Sequence, residues 1–284
     1  MKKNKIVLLA LFSCLILLFT DCGILYAAPA KDAKYTVDAE EIEYDMESGD
    51  GTTSGKTTII HDGRVIVGQK GSTFNSKTRS GHLFGGVKAD KEDEHLTSEE
   101  LFMYTDKYVS AVGNAVVIKG DRKIEAPRVD YHDDTKFAET LGGTARLSST
   151  DGSWLRAGKI TYNMETGLAN ATGGVSLESP PRNLTATGDS AVYDDKETGY
   201  IEMIGHAQAT QNGNTVSGNK LRITNVGTEQ SKTRAEGNVR MVFVSKEDKG
   251  IDNPAFSEGA VLLANGRTDF NPEYNVMDHI LENA

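Results

Sequence analysis

From Lys34 to Val244 apolar and polar positions alternate, as in Lys123-Ile124-Glu125-Ala126 and Tyr200-Ile201-Glu202-Met203. A period of two marks a half-buried β-strand rather than a helix. The alternating runs are short, about five residues, which is an ordinary strand length. Polar turns separate them: Asp45-Met-Glu-Ser-Gly49, Asn163-Met-Glu-Thr-Gly167 and Asp194-Asp-Lys-Glu-Thr-Gly199. Asp or Asn opens such a turn by capping its own backbone, and Gly near the end supplies a positive φ. No stretch in this region carries helical periodicity, so the pattern predicts an all-β chain.

The strands belong to a repeat. One glycine recurs with the same followers: Gly55-Lys-Thr57-Thr-Ile59, Gly85-Gly-Val87-Lys-Ala89, Gly113-Asn-Ala115-Val-Val117 and Gly143-Thr-Ala145-Arg-Leu147. Three more copies follow: Gly173-Gly-Val175-Ser-Leu177, Gly205-His-Ala207-Gln-Ala209 and Gly237-Asn-Val239-Arg-Met241. The spacings are 30, 28, 30, 30, 32 and 32 residues. A second signature, apolar-x-Tyr, follows most of these glycines: Phe102-Met-Tyr104, Val129-Asp-Tyr131, Ile160-Thr-Tyr162 and Ala191-Val-Tyr193. Ile42-Glu-Tyr44 precedes the first full copy, and Leu221-Arg-Ile223 lacks the Tyr. A thirty-residue unit of short strands cannot bury its apolar face alone, so stacked units share one core. The segment Gly68 to Ser80 is poor in apolar residues and predicts a loop or irregular strand.

Alternation places the second and fourth residues after each glycine on one inward face. Two arrangements satisfy that pattern. Small residues on one sheet pack against Tyr, Ile and Leu on the other in a closed core, or two sheets stand apart around an apolar channel. In the second case Ile59, Val87, Ala115, Val117, Leu147, Val175, Leu177, Val239 and Met241 line the groove, and Lys119 lies exposed outside it. The tyrosines form a same-register ladder that packs across strands. Trp154 is read as a cap on the core.

The N-terminus changes the setting. Lys2, Lys3 and Lys5 precede an apolar run from Ile6 to Thr20, and small residues follow at Ala27, Ala28 and Ala30. The run is shorter than the ~20 residues a membrane span needs, and it reads as a cleaved signal peptide over residues 1–30. An uncleaved anchor is the alternative. The two cysteines, Cys14 and Cys22, fall inside this segment, so the mature chain has no disulfide framework. The formal charge is −10 for the whole chain. Losing three Lys and one Asp leaves the mature chain still more acidic, which argues against a nucleic-acid partner.

The motif Gly-x-Ala/Val-x-apolar, a polar turn, then Ala-x-x-apolar-x-Tyr at thirty-residue spacing resembles the LptA/OstA-like family. Ala126-Pro-Arg-Val-Asp-Tyr131 and Ala157-Gly-Lys-Ile-Thr-Tyr162 carry it best, and the likeness covers most of Tyr35 to Phe243. The resemblance implies an elongated twisted β-jellyroll over residues 31–245, open at both ends. It implies a periplasmic carrier that shelters lipopolysaccharide acyl chains and no catalysis or cofactor. It also implies pairing end to end with LptC-like inner-membrane and LptD-like outer-membrane components, or with further copies head to tail. Residues 246–284 lack the repeat and are read as an extension that adds an edge strand, a short helix or a flexible terminus. The competing readings are an LptC-like protein anchored at the inner membrane and an exported β-solenoid that binds or cleaves polysaccharide.

Other candidate chemistry is weak. His61, His82, His95, His132, His206 and His279 lack metal-ligand spacing. His132-Asp133-Asp134 and the acidic run Asp90 to His95 read as solvated turns; the latter lacks the ordered pattern of a calcium loop. No Gly-x-Ser-x-Gly or phosphate-cradling loop is present.

Overall fold

The computed structural model describes residues 35–61, 63–105, 107–132, 134–163, 165–194, 200–224 and 232–244, with the strands Val261–Ala264 and Thr268–Phe270 beyond them. The readings of a signal peptide or anchor over residues 1–30 lie outside the described residues, as does most of the 246–284 segment. The all-β expectation is borne out. Pairing is antiparallel along the whole ladder, and the one helical turn among the described residues is the 3-10 segment Pro180–Arg182. A parallel β-helix needs parallel rungs, so that architecture is excluded. Among the described residues no helix is long and apolar enough to cross a membrane.

The chain forms two compact units. Among the described residues, the first holds Tyr35 to Ser148 together with Lys159–Thr166. Its strands make two leaves of one ladder. One leaf runs through Glu41–Tyr44, Asp50–Ser54, Gly71–Asn75, Ser80–Phe84 and Glu100–Thr105. The other runs through Thr36–Asp38, Thr57–His61, Arg64–Gly68, Val87–Lys91 and Glu94–Ser98. The long strands Tyr108–Lys119 and Arg122–His132 belong to both leaves, one half to each. The second unit holds Ser149–Gly158 and the chain from Gly167 on. There Leu168–Ser179, Leu184–Asp194, Tyr200–Gln211 and Asn214–Thr224 are the long shared strands. Lys232–Glu236 and Val239–Val242 add to the two halves of Asn214–Thr224. Val261–Ala264 then pairs with Val239–Val242, and Thr268–Phe270 with Lys232–Glu236. This leaf-and-corner pattern is a β-jellyroll.

The recurring glycine is the corner. The ladder register shifts between Val112 and Ala115, between Thr172 and Val175, and between Ile204 and Ala207. At each of these sites two successive residues have positive φ, as in Gly113-Asn114, Gly173-Gly174 and Gly205-His206. Glycine takes that conformation without a Cβ clash, and Asn and His are among the side chains that tolerate it. An inserted left-handed pair bends the strand and re-aims the residues beyond it, as a β-bulge does. A polar residue some fifteen positions earlier locks the corner. Asn114 donates to Glu99 at 2.8 Å, His206 Nδ1 meets Asp189 Oδ2 at 2.9 Å, and Glu99 N donates to Gly113 O at 2.9 Å.

The segment Gly68 to Ser80 corrects the expectation of a loop. Gly71–Asn75 is a regular strand paired on both sides. Its inward position is Ser72, which is buried with Thr53 and Thr57. Thr53 Oγ1 lies 2.9 Å from Ser72 Oγ and 2.6 Å from Thr57 Oγ1. Hydroxyls that satisfy one another can sit in a core at little cost, so low apolar content did not prevent a strand.

Candidate functional site

The candidate site is the interior between the two leaves. Every groove residue named from the sequence lies on that inward face: Ile59, Val87, Ala115, Val117, Leu147, Val175, Leu177, Val239 and Met241 are at most 7 % exposed. In the first unit the facing leaf contributes Leu83, Leu101, Val109, Ala111, Val129, Tyr131, Ile160 and Tyr162, all buried. In the second unit Ala169, Ala171, Ala191, Tyr193, Ile201, Met203 and Leu221 do the same. Small residues on one leaf therefore face large ones on the other, and these inward positions are closed to solvent. A cavity of about 40 Å³ remains in the first unit. It is lined by Ile66, Ala89, Leu96 and Val117 from one leaf and by Leu101, Met103 and Val109 from the other. That volume holds a few waters, not an acyl chain.

Three placements differ from the sequence reading. Tyr104 is 43 % exposed, whereas Tyr131, Tyr162 and Tyr193 are buried. In that copy Leu101 and Met103 take the inward positions, and Phe102 and Tyr104 face outward. A one-residue change of parity moves a whole set of side chains to the opposite face. Tyr104 instead joins an outer row of rings, stacked on Phe102 at 5.7 Å and Tyr108 at 4.6 Å, with His132 on Tyr108 at 4.1 Å. Trp154 does not cap the core: its neighbours Leu155 and Ala157 are the inward residues, and its indole N–H donates to Glu178 at 3.0 Å. Lys119 is not outside. It continues the inward parity of Ala115 and Val117 and pairs with buried Glu94.

Glu94 also receives Arg64 at 2.9 Å. This inward ion pair at the hairpin end of the leaf was missed in the sequence. Extending the period-two register by one step past Val117 and one step before Leu96 finds both Lys119 and Glu94. The acidic run from Asp90 to His95 is a hairpin in which His95 pairs with Asp90 at 2.6 Å, while Glu94 turns inward.

On the outer face the motif residue Asp130 anchors a polar cluster. It is 2 % exposed and accepts from Ser110 at 2.7 Å, Tyr108 at 2.8 Å and both Nε and Nη2 of Arg128. Burial pushes its carboxyl up, but the hydrogen bonds from Arg128, Ser110 and Tyr108 outweigh that and hold it below its ordinary value. A depressed carboxylate contributes stability above its unfolded pKa, and that contribution is lost as pH falls through the lower folded value. Asp130→Asn is expected to cost about 2 kcal/mol at neutral pH. The deficit should begin to shrink below about pH 4, where the unfolded chain's carboxyl protonates, and disappear once pH falls through the lower folded value. Urea melts at pH 7 and pH 3 check this; an equal deficit at both would refute it.

Residues 103–230 match the family model described as LptA/(LptD N-terminal domain) LPS transport protein. No curated protein matches the chain in sequence. Among solved structures the chain is similar to LptH of Pseudomonas aeruginosa, described as the LptA homologous periplasmic component of a lipopolysaccharide transport device. That match has 11 % identity, covers 82 % of this chain and 95 % of that one, and has a TM-score of 0.14, so the fold assignment rests on the strand pairing itself. The matched stretch holds Val117, Leu147, Val175 and Leu177, the corners at Gly113, Gly143, Gly173 and Gly205, and the buried Tyr131, Tyr162 and Tyr193. Over residues 103–230 the chain is therefore similar to this transport family, and its repeat is LptA/OstA-like.

Proposed function

We propose that the protein is a periplasmic carrier of lipopolysaccharide that shelters acyl chains between its two leaves. The observation that supports this is the inward apolar column repeated at every corner. Each methylene removed from water contributes about 0.8 kcal/mol, so a many-chained lipid needs continuous shielding to cross an aqueous space. A column of interchangeable Ala, Val, Leu and Ile contacts supplies shielding without one deep pocket. Because the column is buried, loading requires the leaves to part, and the loss of leaf-to-leaf contact is offset by the lipid's own apolar surface. Transfer to LptC-like and LptD-like jellyrolls, or to further copies, proceeds by strand addition at the terminal edges. Thr36–Asp38 and Glu41–Tyr44 each have one pairing partner among the described residues, and Tyr35, Ile42, Tyr44 and Met46 beside them are exposed.

Photo-crosslinking residues at Ile66, Val117 and Leu177 are expected to capture lipopolysaccharide, while outward Lys88 captures none. Lys119 is unsuitable as the outside reference because it faces inward. Capture at Lys88 equal to that at the inward sites, in folded protein, would refute the proposal.

A further inference from the structure

The outer row of rings on the first unit sets two phenols side by side. Tyr104 lies near the end of Glu100–Thr105 and Tyr108 opens Tyr108–Lys119, so the hairpin between these strands closes one ring on the other. Their centroids are 4.6 Å apart and their planes differ by 28°. Phe102 stacks beside Tyr104 at 5.7 Å, and His132 beside Tyr108 at 4.1 Å. Within the row the two phenols are each other's neighbours, and the rings that flank them carry no hydroxyl. Stacking alone would be served as well by phenylalanine. The register shifts between Met103 and Thr105, which makes Tyr104 the extra residue of a β-bulge. A bulged residue stands outside the ladder. The ring of Tyr104, 43 % exposed, therefore has room to turn against Tyr108.

Other tyrosines are placed differently. Tyr131 and Tyr162 lie opposite Ala138 from its two sides, so a whole strand separates them. The hydroxyl of Tyr44 rests on Ser76 at 2.8 Å, and Tyr200 lies under Arg222. The phenol of Tyr108 is also equipped to lose a proton. It donates to Asp130 Oδ2 at 2.8 Å, and Arg128 Nη2 donates to the same phenol oxygen at 2.9 Å. Burial holds this phenol above its ordinary value, so it is protonated at neutral pH while Asp130 is ionised. A phenol that has lost an electron is a strong acid. Asp130 is already in contact to take its proton, and Arg128 remains as a donor to the oxygen of the radical left behind.

We infer that Tyr104 and Tyr108 form an oxidative modification site, which closes to a dityrosine bond when a one-electron oxidant derived from peroxide reaches the outer face. Each phenol gives up one electron and one proton; the proton of Tyr108 passes to Asp130, and that of Tyr104 to solvent. The two radicals join ortho carbon to ortho carbon. The hydrogens on those carbons move to the oxygens and restore both phenols. One hydrogen peroxide takes up the two electrons and two protons and leaves as two waters. The product has two hydrogens fewer than the starting chain and staples Glu100–Thr105 to Tyr108–Lys119 at their hairpin.

The test treats the full chain, at high dilution, with a haem peroxidase and hydrogen peroxide, and isolates the monomer. Trypsin cuts after Lys91, Lys107 and Lys119, so Tyr104 and Tyr108 fall in the peptides 92–107 and 108–119. These two peptides are expected joined, two hydrogens lighter than their sum, in monomer that carries dityrosine fluorescence. Tyr104→Phe and Tyr108→Phe are each expected to lower the monomer's dityrosine about tenfold or more, as loss of a pre-positioned reaction partner does. Asp130→Asn is expected to lower it several-fold. Oxygen gained at exposed Met46 shows that the oxidant reached every variant equally. Thermal melts show that each variant is folded; if Asp130→Asn is not, the two Phe variants carry the test. Dityrosine confined to dimers, or joining any other pair of peptides in the monomer, overturns the site. An undiminished yield in folded Asp130→Asn overturns the proton transfer to that carboxylate.

Discussion

Replacing Tyr162 with alanine is expected to lower the unfolding free energy by about 4 kcal/mol, and Tyr104→Ala by less than about 1 kcal/mol. Both residues end the same apolar-x-Tyr signature, yet Tyr162 is 1 % exposed and Tyr104 lies on the outer face. Tyr162 sits on Lys159–Asn163 opposite Ala138, whose small side chain leaves the space that the ring fills. Removing the ring empties that space, and the surrounding strands are held by ladder hydrogen bonds that resist collapse. Tyr104 loses only ring stacking along the outer row. Chemical denaturation of the two variants tests this, and comparable losses would show that the inward parity of the Glu100–Thr105 strand is misassigned.

Gly173→Val is expected to destabilise the second unit by about 3 kcal/mol or more, whereas Gly174→Ala costs about 1 kcal/mol. Both glycines have positive φ, +80° and +79°. They differ in surroundings. A Cβ on Gly173 would sit 3.1 Å from the Cα of Gly158, which is backbone and cannot rotate away. A Cβ on Gly174 would meet nothing within 4 Å. The first substitution therefore combines conformational strain with steric pressure across the corner, and the second carries strain alone. A larger loss for Gly174→Ala than for Gly173→Val would contradict the corner geometry.

The corner also shows a recurrence that the sequence holds less visibly. Gly158, Gly188 and Gly218 recur at thirty-residue intervals, and Gly68 falls in the same series. A Cβ on Gly68, Gly158 or Gly218 would come within 3.1 Å of backbone, and one on Gly188 within 3.4 Å. These small residues let the ladder fold over itself beside each corner. They escape notice in a search led by apolar positions, because a glycine carries no alternation.

Outside Gly71–Asn75 and the Phe102–Tyr104 copy, strand identity and the inward register of the apolar positions were determined by the sequence alone. Alternation is local, and whichever face carries Val117, Leu147 and Leu177 must be removed from water, so all the named interior positions are buried. The thirty-residue glycine likewise marked the bends at Gly113, Gly173 and Gly205, because a left-handed residue pair is a local backbone requirement. Parity in the Phe102–Tyr104 copy was decided by tertiary structure, since Leu101 and Met103 compete there for the same face and only pairing with Ser80–Phe84 and Tyr108–Lys119 selects between them. The inward placement of Lys119 was also decided there. A lone lysine reads as solvated until Glu94, twenty-five residues away in the chain, is brought against it. Whether the two leaves touch was decided by packing too: alternation specifies which side chains face inward, and only the complementarity of Ala and Val against Tyr, Ile and Leu brings the leaves into contact.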